Sequence, residues 1–476
     1  VAALALRFAA TGPLWLDEAL SVSIAKLPLH SLTDALRHDG SPPLYYLLLH
    51  WWVAVFGDGP VAARALSGVV SVATVPAAYL FGRTASGSRR TGAVVAVLVA
   101  TSPFAARYGS EARMYALVQL LCALGGLAVI RYVRTRTWGS ALAVALCSGL
   151  VVLTHYWALY LVAAVAGLLA LRRDWRAVGA VAAGGVLFVP WLPSFLYQLA
   201  HTGTPWAPRP QLGAAVDAVA EWAGGTGTAA RFLFVLLLLL GLLGLLGAPL
   251  DRRRLVLDLR GNPLGRRLAA VVFSTLALGI VAGLVLGSGY APRYSAVVLV
   301  PFLLLAAAGT AALADDRVRT GAVLGAALLG VSASVGAVLT PRTQAGAVAA
   351  ALRPRLAPGD AVVYCPDQLG PAVSRLLPGD VPQLVFPTGG RPERVDWVDY
   401  AQRNAAADPV AFAREMDARF PGHTVWLVAA GGYRTYGDRC DTLAETLRAL
   451  RPHNDTLVRS RRRYQPERMA LVAFRP

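Results

Sequence analysis

Apolar runs of bilayer-spanning length recur along most of the chain, separated by short polar links. A helix needs about 20 mostly apolar residues to cross roughly 30 Å of hydrocarbon. On that measure spans are predicted at 61–82, 91–106, 114–131, 139–154, 157–171, 177–197, 231–249, 268–288, 294–313 and 320–339. The apolar stretch Val1–Ala10 reads as the outer end of a further span whose start precedes the numbering, giving about eleven in all. The pair 139–154 and 157–171 is short enough to be one broken helix. The run Pro43–Gly57, PLYYLLLHWWVAVFG, reaches only about 22 Å as a helix and reads as an interfacial element. Its Tyr45, Tyr46, Trp51 and Trp52 would sit at headgroup level, apolar at one end and wet at the other.

From residue 341 the pattern changes: charge rises, Pro and Gly punctuate, and apolar runs shrink to strand length. Strands are predicted at Ala361–Cys365, Thr424–Val428 and Leu471–Phe474, with helical periodicity over 344–356, 409–419 and 440–450. Alternating strands and helices predict a small soluble α/β domain over 341–476, after a transmembrane domain over 1–340.

Composition agrees with this division. Charged residues are 15% and mean hydropathy is +0.52, whereas soluble proteins carry roughly a quarter charged residues. An ordinary soluble enzyme is excluded. The net charge of +18 comes almost wholly from arginine, Lys26 being the one lysine, as a GC-rich coding sequence would give. No basic motif interleaved with aromatics points to nucleic acid. Instead the arginines fall in alternate links: Arg83, Arg89 and Arg90; Arg131, Arg134 and Arg136; Arg172, Arg173 and Arg176; Arg252, Arg253, Arg254, Arg260, Arg266 and Arg267; Arg317 and Arg319. The positive-inside rule makes those links cytoplasmic. The links 11–60, 107–113, 155–156, 198–230 and 289–293, and all of 341–476, are then extracytoplasmic in a multi-pass plasma-membrane protein.

Four cysteines without CxxC spacing give neither a disulfide scaffold nor a zinc site. Cys365 and Cys440 share the soluble domain, either bridged or as two buried thiols. Cys122 and Cys147 read as packing residues within spans.

Ionisable residues at span ends are costly and mark candidate sites. Asp17 and Glu18, Glu111 and Arg113, His155 and Tyr156, and Arg293 and Tyr294 all fall on the extracytoplasmic side. Each pair has a bland reading: a helix-capping carboxylate, a surface ion pair, a core histidine, a snorkelling arginine. Independent bland causes do not predict that all four lie on one face. Such a cluster suits glycosyl transfer from a lipid-linked phosphosugar. An acceptor hydroxyl needs a carboxylate to take its proton, for which Asp17 is the candidate. The departing lipid phosphate gains charge, which an arginine fork stabilises, Arg293 first and Arg113 second.

The stretches LWLDEALS (14–21), SPPLYYLLLHWWVAVFG (41–57), ARALSGVVSV (63–72), GSEARMYAL (109–117), THYWALYL (154–161) and PRYSAVVLVPFLLLAAAG (292–309) cover about 300 residues in order. Together they resemble the integral-membrane GT-C glycosyltransferases, in the bacterial branch related to protein O-mannosyltransferases and aminoarabinose transferases. The resemblance implies a polytopic helical GT-C-like fold and an inverting transferase fed by a polyprenyl-phosphate sugar on the outer face. Asp17 matches the acid of the first extracytoplasmic loop, 11–60, and Glu111 falls where a second functional acid is found, with Glu18 beside the first. Tyr294 joins Arg293 and Arg113 as a donor-phosphate contact. His155, Tyr156, His38 and Tyr45 are the expected substrate contacts. Ser41 stands where relatives often have His or Lys, and His38 is a possible replacement for it.

The implied donor is polyprenyl-phosphate-mannose, with polyprenyl-phosphate-arabinofuranose as its rival. The acceptor is a glycolipid, an envelope polysaccharide or a protein. Asp17, Glu18 and Glu111 have the hard oxygens a divalent metal takes, but no motif calls for one and none is assigned. A transporter or flippase of lipid-linked sugars is the competing class. It would carry inverted repeats and midplane charges, and no internal repeat is evident.

Overall fold

Apolar length decides which predicted spans become straight membrane helices. The computed structural model describes residues 2–211, 213–251, 254–287 and 289–476. Val1, Arg252 and Arg253, and one residue each of the 198–230 link and the 268–288 span, fall outside it. Among the described residues seven helices are long and apolar enough to cross a bilayer: Pro60–Ser86, Tyr115–Thr135, Trp175–His201, Thr228–Leu246, Pro263–Leu286, Pro292–Ala312 and Asp316–Leu339. An eighth span forms if Arg89–Thr101 and Pro103–Gly109, bent by 54°, count as one. The break falls at Ser102, whose hydroxyl caps the second helix by accepting from the Ala105 N–H at 3.3 Å, with Pro103 at its first position.

The eleven expected spans are therefore not all of spanning length. Trp138–Val152 and Ala158–Leu171 are separate helices of 15 and 14 residues, about 22 and 21 Å long, too short to cross alone. Leu44–Phe56 forms at the expected interfacial position. Its Trp51 is exposed, but Tyr45 and Tyr46 turn inward and are buried, contrary to their expected place among headgroups.

Pro292–Ala312 is the hub, with 94% of its apolar window inside the protein. Its sequence is apolar all round, and a helix with no polar face must be surrounded. Gly309 on the hub and Gly244 on Thr228–Leu246 meet where a Cβ on either would strike the other helix's backbone. Only glycine permits that approach.

Beyond residue 340 lies a five-stranded sheet, ordered β4–β3–β5–β7–β6. The strands are β3 (Ala361–Cys365), β4 (Gln383–Val385), β5 (Val425–Ala429), β6 (Asn454–Val458) and β7 (Ala470–Phe474); the hairpin β1 (Gly247–Pro249) and β2 (Leu255–Leu257) precedes them between two membrane helices. β3 runs parallel to β4 and β5, and β7 antiparallel to β5 and β6. The helices at 345–352, 409–419 and 439–450 match the sequence reading closely; β4, β6 and the hairpin are additions to it. Cys365, ending β3, is bridged to Cys440 across 5.5 Å between Cα atoms.

Alternation along β3 sends Ala361, Val363 and Cys365 to one face of the sheet and Val362 and Tyr364 to the other. The first face also buries Trp15 and Leu16, which lead into the helix Leu16–Ala25. Backbone bonds fix the same docking: Trp397 N–H to His38 O at 3.0 Å and Asp399 N–H to His201 O at 2.8 Å. The sheet thus rests on the bundle end that carries Asp17.

Candidate active site

Asp17 and Glu18 occupy the first turn of the helix Leu16–Ala25, about 100° apart around its axis. That angle gives them opposite surroundings. Glu18 is fully buried. Arg64, inside Pro60–Ser86, grips both its oxygens, Nε to Oε1 at 2.7 Å and Nη2 to Oε2 at 2.6 Å. The Ala112 N–H adds a bond at 3.1 Å and the Trp15 N–H another at 3.3 Å. Burial pushes the Glu18 carboxyl up, but the Arg64 bonds and charge, then Arg342 and the Ala112 N–H, outweigh it and hold it below the ordinary carboxylate value. Arg64 also ties down the Ala10, Gly12 and Pro13 carbonyls at 3.1, 2.6 and 3.0 Å. Glu18, expected to share in chemistry, is thus the clamp that fixes the helix start.

Asp17 is the open member of the pair, its side chain 17% exposed. Its Oδ2 lies 3.7 Å from Arg293 Nη2 and 3.9 Å from Arg113 Nε, charge contact without hydrogen-bond length. Arg113 is steadied through Nη1, which donates to Ser21 Oγ and to Tyr46 OH, each at 3.2 Å. Tyr46 in turn donates to Asp39 Oδ2 at 2.9 Å. Burial, opposed by Arg113 and the Ser41 and Tyr46 hydroxyls, leaves Asp39 above the ordinary carboxylate value. Arg293 stacks 4.7 Å over the Trp206 ring. The Nε atoms of both Arg113 and Arg293 are buried without a hydrogen-bond acceptor. Two guanidinium groups with unused Nε donors thus stand beside one partly open carboxylate.

Glu111 lies behind this layer, buried, with Arg342 Nε at 3.4 Å and Arg107 Nε at 3.7 Å. Burial raises its carboxyl above the ordinary value although both arginines pull it down. Arg342 follows the last membrane helix, is 4% exposed, and donates from Nη1 to Ser110 O and from Nη2 to Ser110 Oγ, each at 2.9 Å. It stands 3.6 Å from Glu18 and so joins both acids.

Tyr294 and His155 belong to an aromatic wall beside Arg293: His155 is 5.3 Å from Tyr294 and 5.6 Å from Tyr115, ring to ring. The His155 Nδ1 accepts from the Trp157 N–H at 3.2 Å. Burial first, then Arg113 and Arg293, lower its pKa to about 3, so the ring is neutral at neutral pH.

Three expected substrate contacts lie elsewhere. Tyr156 donates to Gln198 and accepts from Trp191 Nε1 at 2.8 Å, and Gln198 pins the Leu36 carbonyl at 2.7 Å. His38 pairs with Asp396 at 3.0 Å at the seam with the sheet domain. The Tyr45 hydroxyl bonds to Ser67 Oγ at 2.9 Å, which props the Arg113 carbonyl at 3.1 Å. The Tyr156 and Tyr45 hydroxyls are committed to partners inside the protein, whereas the His38–Asp396 pair is exposed. Ser41 is buried beside Asp39.

Arg64, Asp39, Trp206, Arg342 and Glu467 were not singled out from sequence. Arg64 had a signal, since a charge inside an apolar span calls for a partner. Glu467, from the sheet domain, is buried beside Thr343 and the Leu16 N–H with neither oxygen in hydrogen-bond geometry, and burial raises it to about 8. Among the described residues no group of three or more His, Cys, Asp or Glu side chains is placed to hold a metal ion.

Residues 40–197 match the family model described as dolichyl-phosphate-mannose-protein mannosyltransferase. No curated protein matches the chain. Among solved structures it is similar to ArnT from Cupriavidus metallidurans in the apo state, with a TM-score of 0.62, 14% identity, and coverage of 99% of this chain and 96% of that one. The same enzyme bound to undecaprenyl phosphate gives a TM-score of 0.60 at the same identity and coverage. The family match is confined to residues 40–197 of the bundle, and across nearly its full length the chain shares the fold of ArnT.

Proposed function

We infer that the chain is an inverting glycosyltransferase that moves a sugar, mannose foremost, from a polyprenyl-phosphate donor to a hydroxyl of an envelope glycolipid, glycan or protein. The observation that carries this reading is Asp17 held 3.7 and 3.9 Å from two guanidinium groups whose Nε donors are unused. The donor phosphate would bridge Arg293 and Arg113. The acceptor oxygen attacks the anomeric carbon from the opposite side as its proton passes to Asp17. The bond from that carbon to the phosphate oxygen breaks, the electron pair leaves with the polyprenyl phosphate, and the anomeric centre inverts. The phosphate thereby gains a negative charge that Arg293 and Arg113 stabilise more strongly than in the ground state. Glu18, Glu111 and Arg342 act as positioning residues.

The family description and the ArnT complex with undecaprenyl phosphate support the donor class. Orientation rests on charge: Arg83, Arg131, Arg172, Arg266 and Arg317 lie at helix ends opposite to Asp17, Arg113 and Arg293. The positive-inside rule then puts the acidic site and the sheet domain outside the cell.

Transfer should be measured with purified protein in nanodiscs, radiolabelled polyprenyl-phosphate-mannose, -arabinofuranose or -aminoarabinose, and an envelope extract. Transfer from one donor that disappears in Asp17→Asn supports the assignment and names the sugar. Binding of every donor without transfer from any would move the reading to a transporter of lipid-linked sugars.

A further inference from the structure

A cavity of about 690 Å³ lies within the bundle, away from the acidic cluster. Its walls are apolar, among them Leu121, Val144, Val165, Leu169 and Val271. The sequence explains why it exists. Trp138–Val152 and Ala158–Leu171 are too short to fill the membrane's thickness, and Gly125 presents no side chain toward Cys147. Four arginines, Arg134, Arg172, Arg266 and Arg267, line the far end of this cavity.

None of those four has a carboxylate within ion-pair distance among the described residues, although Arg136 nearby takes Asp174 at 2.7 and 2.6 Å. The positive-inside rule accounts for arginines at this end of the bundle. It does not account for four of them, without acids, around the mouth of an apolar cavity. Along Tyr115–Thr135 the lining runs from Leu121 to Arg134, about 20 Å. That shape suits an extended hydrocarbon chain with an anion at one end, rather than a compact polar metabolite.

We propose that this cavity binds an anionic glycerophospholipid from the leaflet opposite the catalytic cluster, its phosphate held by Arg134, Arg172, Arg266 and Arg267 and an acyl chain within the helices. The donor lipid is the wrong occupant. With its phosphate at Arg293 its tail would end against four guanidinium groups, which favour a charge and not a methyl terminus. The site is independent of the transferase reading, because it uses none of the same residues.

The test uses the full chain in phosphatidylcholine nanodiscs doped with phosphatidylglycerol, and native mass spectrometry to count lipids retained after ejection. Phosphatidylglycerol should be retained in preference to phosphatidylcholine. Retention should fall at least about tenfold in Arg134→Gln/Arg266→Gln/Arg267→Gln, since each basic residue adds separately to anionic-lipid attraction. Gly125→Leu keeps every charge and narrows the cavity where Gly125 faces Cys147, its Cβ meeting Cys147 at an ordinary 3.5 Å. It should also lower phosphatidylglycerol retention, and it carries the test if the charge variant does not insert. Equal retention of both lipids, or unchanged retention in Gly125→Leu, would overturn the proposal. So would displacement of phosphatidylglycerol by polyprenyl phosphate, or by inorganic phosphate, which would mark a donor-tail groove or a simple anion site.

Discussion

Substituting the two adjacent carboxylates one at a time should separate chemistry from architecture. Glu18→Gln keeps the shape but turns one oxygen into a donor facing an Arg64 donor, at a position where the contact is 2.6 or 2.7 Å. It also leaves Arg64, 4% exposed, without its counter-charge. Breaking a buried, hydrogen-bonded pair costs about 3–5 kcal/mol. The Asp17 carboxylate makes only charge contacts of 3.7 and 3.9 Å and accepts no hydrogen bond from either arginine, so Asp17→Asn should cost less stability than Glu18→Gln. Its loss should appear in turnover, about 10²- to 10⁴-fold for a missing general base, or about 2.7–5.4 kcal/mol of transition-state stabilisation. The assay is thermal unfolding of both variants in detergent beside turnover at saturating donor. The Glu18 deficit should depend on pH in a stated direction. Its carboxyl is held below the ordinary value of 4.5, so its stabilisation is present above that pH and fades as pH falls through the folded value. A strongly destabilised Asp17→Asn beside a wild-type-like Glu18→Gln would refute the division of roles, as would Asp17→Asn retaining more than about a tenth of turnover.

Trp206→Ala removes the ring under Arg293 and should raise KM for donor about 3- to 30-fold while sparing the fold, read from steady-state kinetics. Glu467, raised to about 8 from 4.5, lets stability decline as pH rises between those values, because the unfolded chain loses its proton first. Glu467→Gln should flatten that decline in thermal unfolding across pH, and an unchanged slope would assign it elsewhere. Cys365→Ala/Cys440→Ala opens a loop with a sequence separation of 75 and should weaken the sheet domain by about 4 kcal/mol, measured by denaturant unfolding.

Apolar run length made the bundle readable, and strand-length runs flanked by Gly and Pro made the sheet domain readable. Run length did not show that 91–106 breaks at Ser102, and it left open whether 139–154 and 157–171 form one broken helix or two short ones, since neighbouring helices decide whether a short apolar segment must cross. In the site, Asp17, Arg113 and Arg293 stood out because each ends an apolar run. The contrast between Asp17 and Glu18 was not legible, because one residue's rotation about a helix decides which carboxylate faces Arg64. Arg342 was hidden for another reason: it lies just past the last span among many arginines, and only tertiary packing carries it to Glu18 and Glu111. Tyr156, His38 and Tyr45 looked available because Gln198, Asp396 and Ser67, which occupy them, are far away in sequence or unremarkable in type.

The reach of Arg342 has a consequence for the order of assembly during synthesis. Glu18, Arg64 and Glu111 are inserted early, but the arginine that neutralises Glu111 most closely emerges only after the last membrane helix. Until then Glu111 has Arg107 alone at 3.7 Å, and a carboxyl in that setting takes up a proton more readily than it holds a charge. A chain ended after Thr340 should insert yet give no turnover and expose 107–113 to protease, where the full chain resists. On the transferase reading, the layer around Asp17 would close only once Arg342 has followed the helix Asp316–Leu339 out of the membrane, which would keep a shorter chain from acting.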